Sequence, residues 1–218
     1  SSMKGVCQFV IAGYRETRDA LTNLQSPFYN FATPLVLTEF LMKDAAELIT
    51  LPMDNLGVTI RNKDEVVKRI ISETGGHPNL IQYYCWVLVS KLDRAGRREI
   101  ATDDLIDVYN DANFRRHLID SFVENTSNLE KAIVYVLLLD RKRIEQGFTK
   151  PYIDLLLKRN EIPVISSRLA KACDTLVLSG TFQQKQQEYF FTSRVFVILL
   201  ERYENVKYLL RELKQEGI

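Results

Sequence analysis

Cysteine and histidine are scarce in this chain and widely scattered. The three cysteines are Cys7, Cys85 and Cys173, and the two histidines are His77 and His117. Because no Cys-x-x-Cys pair occurs, the sequence argues against a disulfide framework and against a structural zinc site. Such a protein is typical of a reducing compartment, so we expect a cytoplasmic location and no bound metal.

Long apolar runs and a strong charge of either sign are also missing. No apolar stretch reaches membrane-spanning length, no secretory signal precedes the first predicted strand, and the net charge over 218 residues is +1. We therefore expect no membrane partner, and the charge argues against a protein that coats nucleic acid. With 46% hydrophobic residues, the chain can bury a sizeable core.

The first part of the sequence predicts one early strand before helices take over. Residues 6–12 form a nearly continuous apolar run, which is typical of a buried strand, and 33–38 resemble a short extended segment. Thr38 is a suitable cap for a helix over 39–50. Pro52 should end that helix and begin a loop.

Three more helices are expected before the middle of the chain. Apolar residues at helical spacing predict helices over 63–73 and 79–92, and Thr102 followed by two acids should begin another. The net charge then changes from −3 over 38–110 to +3 over 111–218. This shift indicates a boundary near 111–127.

The second half of the sequence has the order helix, helix, helix, hairpin, helix. A first apolar helix covers 129–139, a second opens at Thr149 and Pro151, and a third ends at Gly180. Residues 181–193 alternate as two short strands around a polar tip, and one long final helix follows. This is the order of elements in a winged-helix domain.

Four stretches together resemble the second half of a P-loop ATPase. They are FVIAGYRE (9–16), LTEFLMKDAAELITLPMDNLGV (37–58), VVKRIISETGGHPNLIQYYC (66–85) and the trailing winged helix. The class they are most similar to is the signal-transduction ATPases with numerous domains (STAND), relatives of AAA+ and origin-recognition-type ATPases.

The resemblance covers nearly the whole chain and implies a mainly α fold in three parts. Residues 1–37 would be remnant strands of the ATPase sheet, 38–112 a four-helix AAA+ lid, and 113–218 a winged helix with a β-hairpin wing. In such ATPases a strand end senses the γ-phosphate, and a Gly-x-Pro turn of the lid touches the nucleotide.

The resemblance therefore implies that Arg15, Gly76, His77 and Pro78 sense ATP or ADP, held with Mg²⁺, in a longer parent protein. The residues alone allow plainer interpretations. Arg15 could be a solvated residue after a strand, and Gly76 and Pro78 could simply stop one helix and start the next. His77 has the character of a loop residue rather than a catalyst.

The sequence contains no G-x-x-x-x-G-K-[ST] motif, so it offers no loop to cradle phosphates and no hydroxyl to hold Mg²⁺. Asp140 imitates a magnesium-positioning acid after a strand, but its segment is predicted to be helical. We therefore expect the regulatory portion of an ATP-binding STAND or AAA+ ATPase, a nucleotide-responsive switch in its parent. Alone it would be no ATPase and would carry no cofactor.

Two partners follow from this hypothesis. The first is the P-loop core of the same parent chain, which would lie upstream. The second is another copy of the chain, because an unpaired strand over 6–12 would present open backbone groups and apolar side chains, which would pair either with 33–38 or with a second copy. Light scattering with and without residues 1–13 would test this self-association.

A winged-helix DNA-binding module is the alternative function. Arg168 and Lys171 should lie on the exposed face of the third winged-helix helix, with Lys185 at the wing tip, where they could contact phosphates. Asp174 shares that helix, so the predicted basic surface is thin.

Overall fold

Residues 1–37 and 38–218 form two compact units. The computed structural model describes residues 10–13, 17, 20–21, 24–29, 33, 40–141 and 144–218. In the first unit, residues 10–12 belong to no strand, and the Val10 side chain is 96% exposed. The prediction of a buried strand is therefore wrong over 10–12, where no neighbouring strand is described that could satisfy its backbone. Residues 6–9 and 34–38 lie outside the described part of the chain.

The second unit begins with helix α1, Met42–Asn55, which is shifted from the predicted 39–50. Leu41 occupies the N-cap position and supplies no side-chain hydrogen bond, so the prediction of a Thr38 cap is wrong. Among the described residues, no side chain at the N-cap position therefore caps the start of α1.

Pro52 lies inside α1 and does not end it. Ala45, Ile49 and Met53 are buried on one face of the helix, and this apolar stripe continues past the proline. Burial of Met53 favours another helical turn, while the proline removes only one backbone hydrogen bond. The Pro52 carbonyl still accepts the Leu56 N–H at 3.0 Å.

The predicted loop after Pro52 contains a short strand, β1, Thr59–Ile60. It pairs in parallel with β2, Glu99–Ile100, across two intervening helices. These helices are α2, Lys63–Thr74, and α3, Pro78–Arg94, and both confirm the predicted helices to within a few residues.

The expected fourth helix begins as a 3-10 turn, Thr102–Leu105, and continues as α4, Ile106–Asn110. Ala101 rather than Thr102 is the N-cap, and its N–H donates to the Asp104 carboxylate at 2.7 Å. The acid in the first turn therefore reaches back and satisfies the N–H of the N-cap residue.

Helix α5, Ala112–Asn125, occupies most of the interval in which the sequence predicts a boundary. The Asp111 side chain caps it by accepting from the N–H groups of Asn113 and Phe114 at 3.0 and 2.9 Å. The elements before and after it share one apolar core, which extends from Ala45 to Leu213. The division of 38–218 at residue 112 stays a prediction.

Three further helices and a hairpin confirm the predicted order of the second half. They are α6 (Asn128–Leu139), α7 (Lys150–Arg159), α8 (Ser166–Leu178), β3 (Phe182–Lys185) and β4 (Glu188–Phe191). Strands β3 and β4 are antiparallel. Phe148 adds a bridge to the hairpin, because Phe148 and Tyr189 exchange backbone hydrogen bonds of 3.0 and 2.8 Å.

The predicted single final helix is wrong, because it divides into α9, Arg194–Tyr203, and α10, Val206–Glu216. Glu204 is extended, and the Asn205 side chain accepts the Tyr208 N–H at 3.1 Å to cap the new helix. The apolar pattern continues across this break, but the asparagine cap starts a separate helix that packs on α6.

The fold is mainly α, as the sequence predicts. Within the described residues, helices dominate, and the strands form two sheets of two strands each. No helix among these residues is both long and apolar enough to cross a membrane.

Candidate functional site

The turn between α2 and α3 holds three of the four residues that the resemblance assigns to nucleotide sensing. Gly76 has φ +73°, His77 is the extended N-cap residue of α3, and Pro78 is its first helical residue. Gly75, with φ +65°, is the C-cap of α2. The turn thus stops one helix and starts the next, and Arg15, the fourth residue, lies outside the described part of the chain.

The residues that flank the hairpin in the same chain lie very close to this turn. A Cβ placed on Gly75 would lie 2.6 Å from the carbonyl carbon of Thr192, which is far inside van der Waals contact. The half-buried ring of His77 lies against Gly180, where a Cβ would be 3.1 Å from the imidazole Cδ2. The absence of side chains at both glycines therefore permits this approach.

A hydrogen bond joins the same two regions. The Ser193 hydroxyl donates to the backbone carbonyl of Glu73 at 2.8 Å, and the same oxygen accepts the Phe196 N–H to cap α9. We call the residues that make these contacts the junction. They are Glu73, Gly75, His77, Gly180, Thr192 and Ser193.

The side chain of Glu73 is a buried carboxylate beside the junction, 4% exposed. It accepts hydrogen bonds from Arg69 Nε at 2.9 Å and from the Tyr84 hydroxyl at 2.5 Å. Burial, followed by the neighbouring carboxylate, raises the pKa of Tyr84 above its ordinary value. These bonds compensate the buried charge and fix the end of α2 against α3.

Sequence reasoning missed this carboxylate, although a signal was present. Val66, Ile70 and Glu73 follow one another at helical spacing, so the glutamate lies on the apolar stripe of α2. A charged residue at a core position indicates a buried partner, which here is Tyr84 together with Arg69.

The predicted DNA-contacting residues lie on two elements. Arg168 and Lys171 are exposed and one turn apart on α8, and Lys185 is exposed at the end of β3, in the hairpin that packs against α8. The Lys185 ammonium lies 5.5 Å from the ring centroid of Phe190. Asp174, the acid expected to weaken this surface, lies 3.9 Å from Lys150 Nζ.

Neither a scan of protein-family models nor a search of curated proteins finds a match to this chain.

Proposed function

We propose that the chain is the lid and winged-helix regulatory portion of an ATP-binding STAND or AAA+ ATPase, and that it acts in its parent as a nucleotide-responsive switch. Helices α1 to α4 agree in number and order with the four-helix lid. Helices α6 to α8, the hairpin and the Phe148–Tyr189 bridge agree with a winged helix. The nucleotide, ATP or ADP with Mg²⁺, would be held by a P-loop core elsewhere in the parent.

One observation carries this proposal. The turn that would touch the nucleotide also forms the contacts to the base of the hairpin, through Gly75 against Thr192 and His77 against Gly180. A displacement of the turn by a fraction of an ångström would alter these contacts, because the segments at Gly75 and at Gly180 are already packed as closely as a residue without a side chain allows. Nucleotide binding and the position of the hairpin would therefore be mechanically linked.

The energy required of such a switch is modest. Allosteric coupling between two sites is typically about 1–3 kcal/mol, and a ligand can shift an equilibrium only by its differential affinity for two states. One hydrogen bond such as that from Ser193 to the Glu73 carbonyl contributes about 0.5–1.5 kcal/mol. Loss of this bond together with part of the Gly75–Thr192 contact would therefore change the free energy by an amount comparable to such a coupling.

Hydrogen exchange on the parent protein with ATP and with ADP tests the proposal. We expect the amides at 73–77 and 192–196 to change protection between the two nucleotides. Ser193→Ala should reduce that difference, whereas Ser167→Ala, on an exposed position of α8, should leave it unchanged. Identical exchange at these segments in both nucleotides would contradict the switch.

The role of Arg15 is tested separately in the parent. A guanidinium at the end of a strand would be preorganised to meet a phosphate, so Arg15→Ala should weaken discrimination between ATP and ADP more than it weakens folding. Unchanged nucleotide preference would remove Arg15 from the sensing site.

A DNA-binding winged helix is the second candidate, and one observation favours it. Asp174 lies within ion-pair distance of Lys150, so its charge opposes the Arg168 and Lys171 surface less than the sequence suggests. Binding would then weaken as salt rises, because phosphate contacts release counterions. A salt-dependent mobility shift on random duplex DNA, lost in Arg168→Ala with Lys171→Ala, would favour this function over the switch.

A further inference from the structure

A groove on the surface of α5 is not used by the proposed switch. It is wide open to solvent, and its volume is about 520 Å³. It is lined by Tyr83 from α3 and by residues of α5 that include Arg116, His117, Asp120 and Glu124. We call it the α5 groove.

Aromatic rings form one edge of the α5 groove. The ring of Tyr83 stacks on His117 with a centroid distance of 4.7 Å and an interplanar angle of 8°. The ring centroid of Trp86 lies 5.4 Å from that of Tyr83, and Trp86 is 55% exposed; it lies beside the groove rather than in its lining. Tryptophan is enriched among the residues that carry binding energy at interfaces, and here its exposed face is available to a partner.

Two carboxylates lie further along the same face of α5. Asp120 and Glu124 are one turn apart and exposed, and neither makes a hydrogen bond or ion pair with another described residue. Arg116, one turn before Asp120, is the cation among the residues that line the groove. The lining therefore carries a net negative charge next to exposed ring faces.

We propose that the α5 groove binds an arginine side chain from a basic segment of a protein partner. A guanidinium stacks on aromatic faces and also binds carboxylates through two parallel hydrogen bonds, so it matches both features at once. A phosphate-bearing ligand would be repelled by the two carboxylates, and a neutral sugar would leave them unpaired.

The intrinsic fluorescence of the protein reports on the surface beside this site, because Trp86 is its sole tryptophan and lies against Tyr83. We expect an acetylated, amidated tri-arginine peptide to change the fluorescence saturably, and the change to weaken as salt is raised. Tri-glutamate and adenosine monophosphate serve as the comparison probes, one of the opposite charge and one with a base that can stack.

Three variants of the full chain test which groups bind the peptide. Asp120→Asn combined with Glu124→Gln should weaken tri-arginine binding by about fivefold or more, since exposed ion pairs each contribute a factor of about two to five. Arg116→Ala should strengthen binding, because it removes the cation that competes for the carboxylates. Asp103→Asn combined with Glu145→Gln removes two exposed carboxylates outside the groove and should leave binding unchanged.

Each other outcome overturns the proposal. The absence of saturable tri-arginine binding both by fluorescence and by calorimetry, or equal binding by the double variant in the groove and its control, would show that the carboxylates bind no guanidinium. Tighter binding of adenosine monophosphate than of tri-arginine would assign the groove to a stacked base instead. Urea unfolding of each variant establishes that a loss of binding is not a loss of folding.

Discussion

Replacing Gly75 by alanine is the sharpest test of the junction. Gly75 has a left-handed backbone, φ +65°, and lies close to Thr192. A Cβ on Gly75 would lie 2.6 Å from the carbonyl carbon of Thr192 and closer still to the carbonyl oxygen. The obstacle is backbone rather than the end of a flexible side chain. The chain at Thr192 must therefore move away from α2 for an alanine to fit.

The expected loss of stability has two parts. An alanine held in the left-handed region costs about 1–2 kcal/mol. Forcing extra volume into a packed contact adds about 1–3 kcal/mol. Gly75→Ala should thus lower the free energy of unfolding by about 2–5 kcal/mol, a large share of the 5–15 kcal/mol or so by which proteins are stable.

Two matched controls separate backbone strain from packing. Gly57 and Gly96 have φ +66° and +63°, but a Cβ on either would meet nothing within 4 Å. In urea unfolding, Gly57→Ala and Gly96→Ala should each lose only the strain of about 1–2 kcal/mol. If Gly75→Ala loses no more than these two variants, the close approach of Gly75 and Thr192 is refuted, and with it the junction.

Three further predictions concern nucleotide affinity, alkaline stability and thiol reactivity. If the proposed function is right, the 218 residues should show neither ATPase activity nor tight Mg-ATP binding, because contacts from a lid are secondary to the phosphate cradle; micromolar binding by calorimetry would contradict this. Burial raises the pKa of Tyr84, so the folded protein retains a proton that the unfolded chain releases above pH 10 or so. The free energy of unfolding should therefore fall as the pH rises past that value, and Tyr84→Phe should flatten the fall; an equal slope in both proteins would refute the argument. Burial raises the pKa of Cys173 to about 12. In a variant with Cys7→Ser and Cys85→Ser, the remaining thiol should therefore react with Ellman's reagent only on unfolding. Rapid labelling of the folded protein would place this thiol at the surface.

Local patterns predicted most of the helices and the hairpin, because their signals lie within a few residues. The stripe of Val66, Val67, Ile70 and Ile71 is sufficient to define α2, and all four are buried. Local sequence rules failed where packing against residues distant in the sequence determines whether a helix continues. Pro52 would end a helix in isolation, but the buried face of α1 continues through it.

The candidate site was predictable only on one of its two sides. The Gly-Gly-His-Pro sequence signals a turn between two helices, and the resemblance only implies a function for that turn. Thr192 and Ser193 are more than a hundred residues away along the chain, and nothing in their local sequence indicates that they contact α2. When two distant segments approach closely through their backbones, the only sign in the sequence is a glycine. Ordinary turns also require glycine, so this sign does not identify the contact.

The shared core limits how far the proposed switch can open. Phe122 of α5 packs on Phe196 of α9 with ring centroids 5.0 Å apart, and both side chains are buried. Complete separation of the part before α5 from the part after it would expose such residues, at about 1.5–3 kcal/mol for each large side chain. That cost soon exceeds the coupling of about 1–3 kcal/mol that a nucleotide typically supplies. Any movement in the proposed switch would therefore be local, a shift of the turn at 75–78 against the base of the hairpin at 180 and 192–193, with the core between α5 and α9 unchanged.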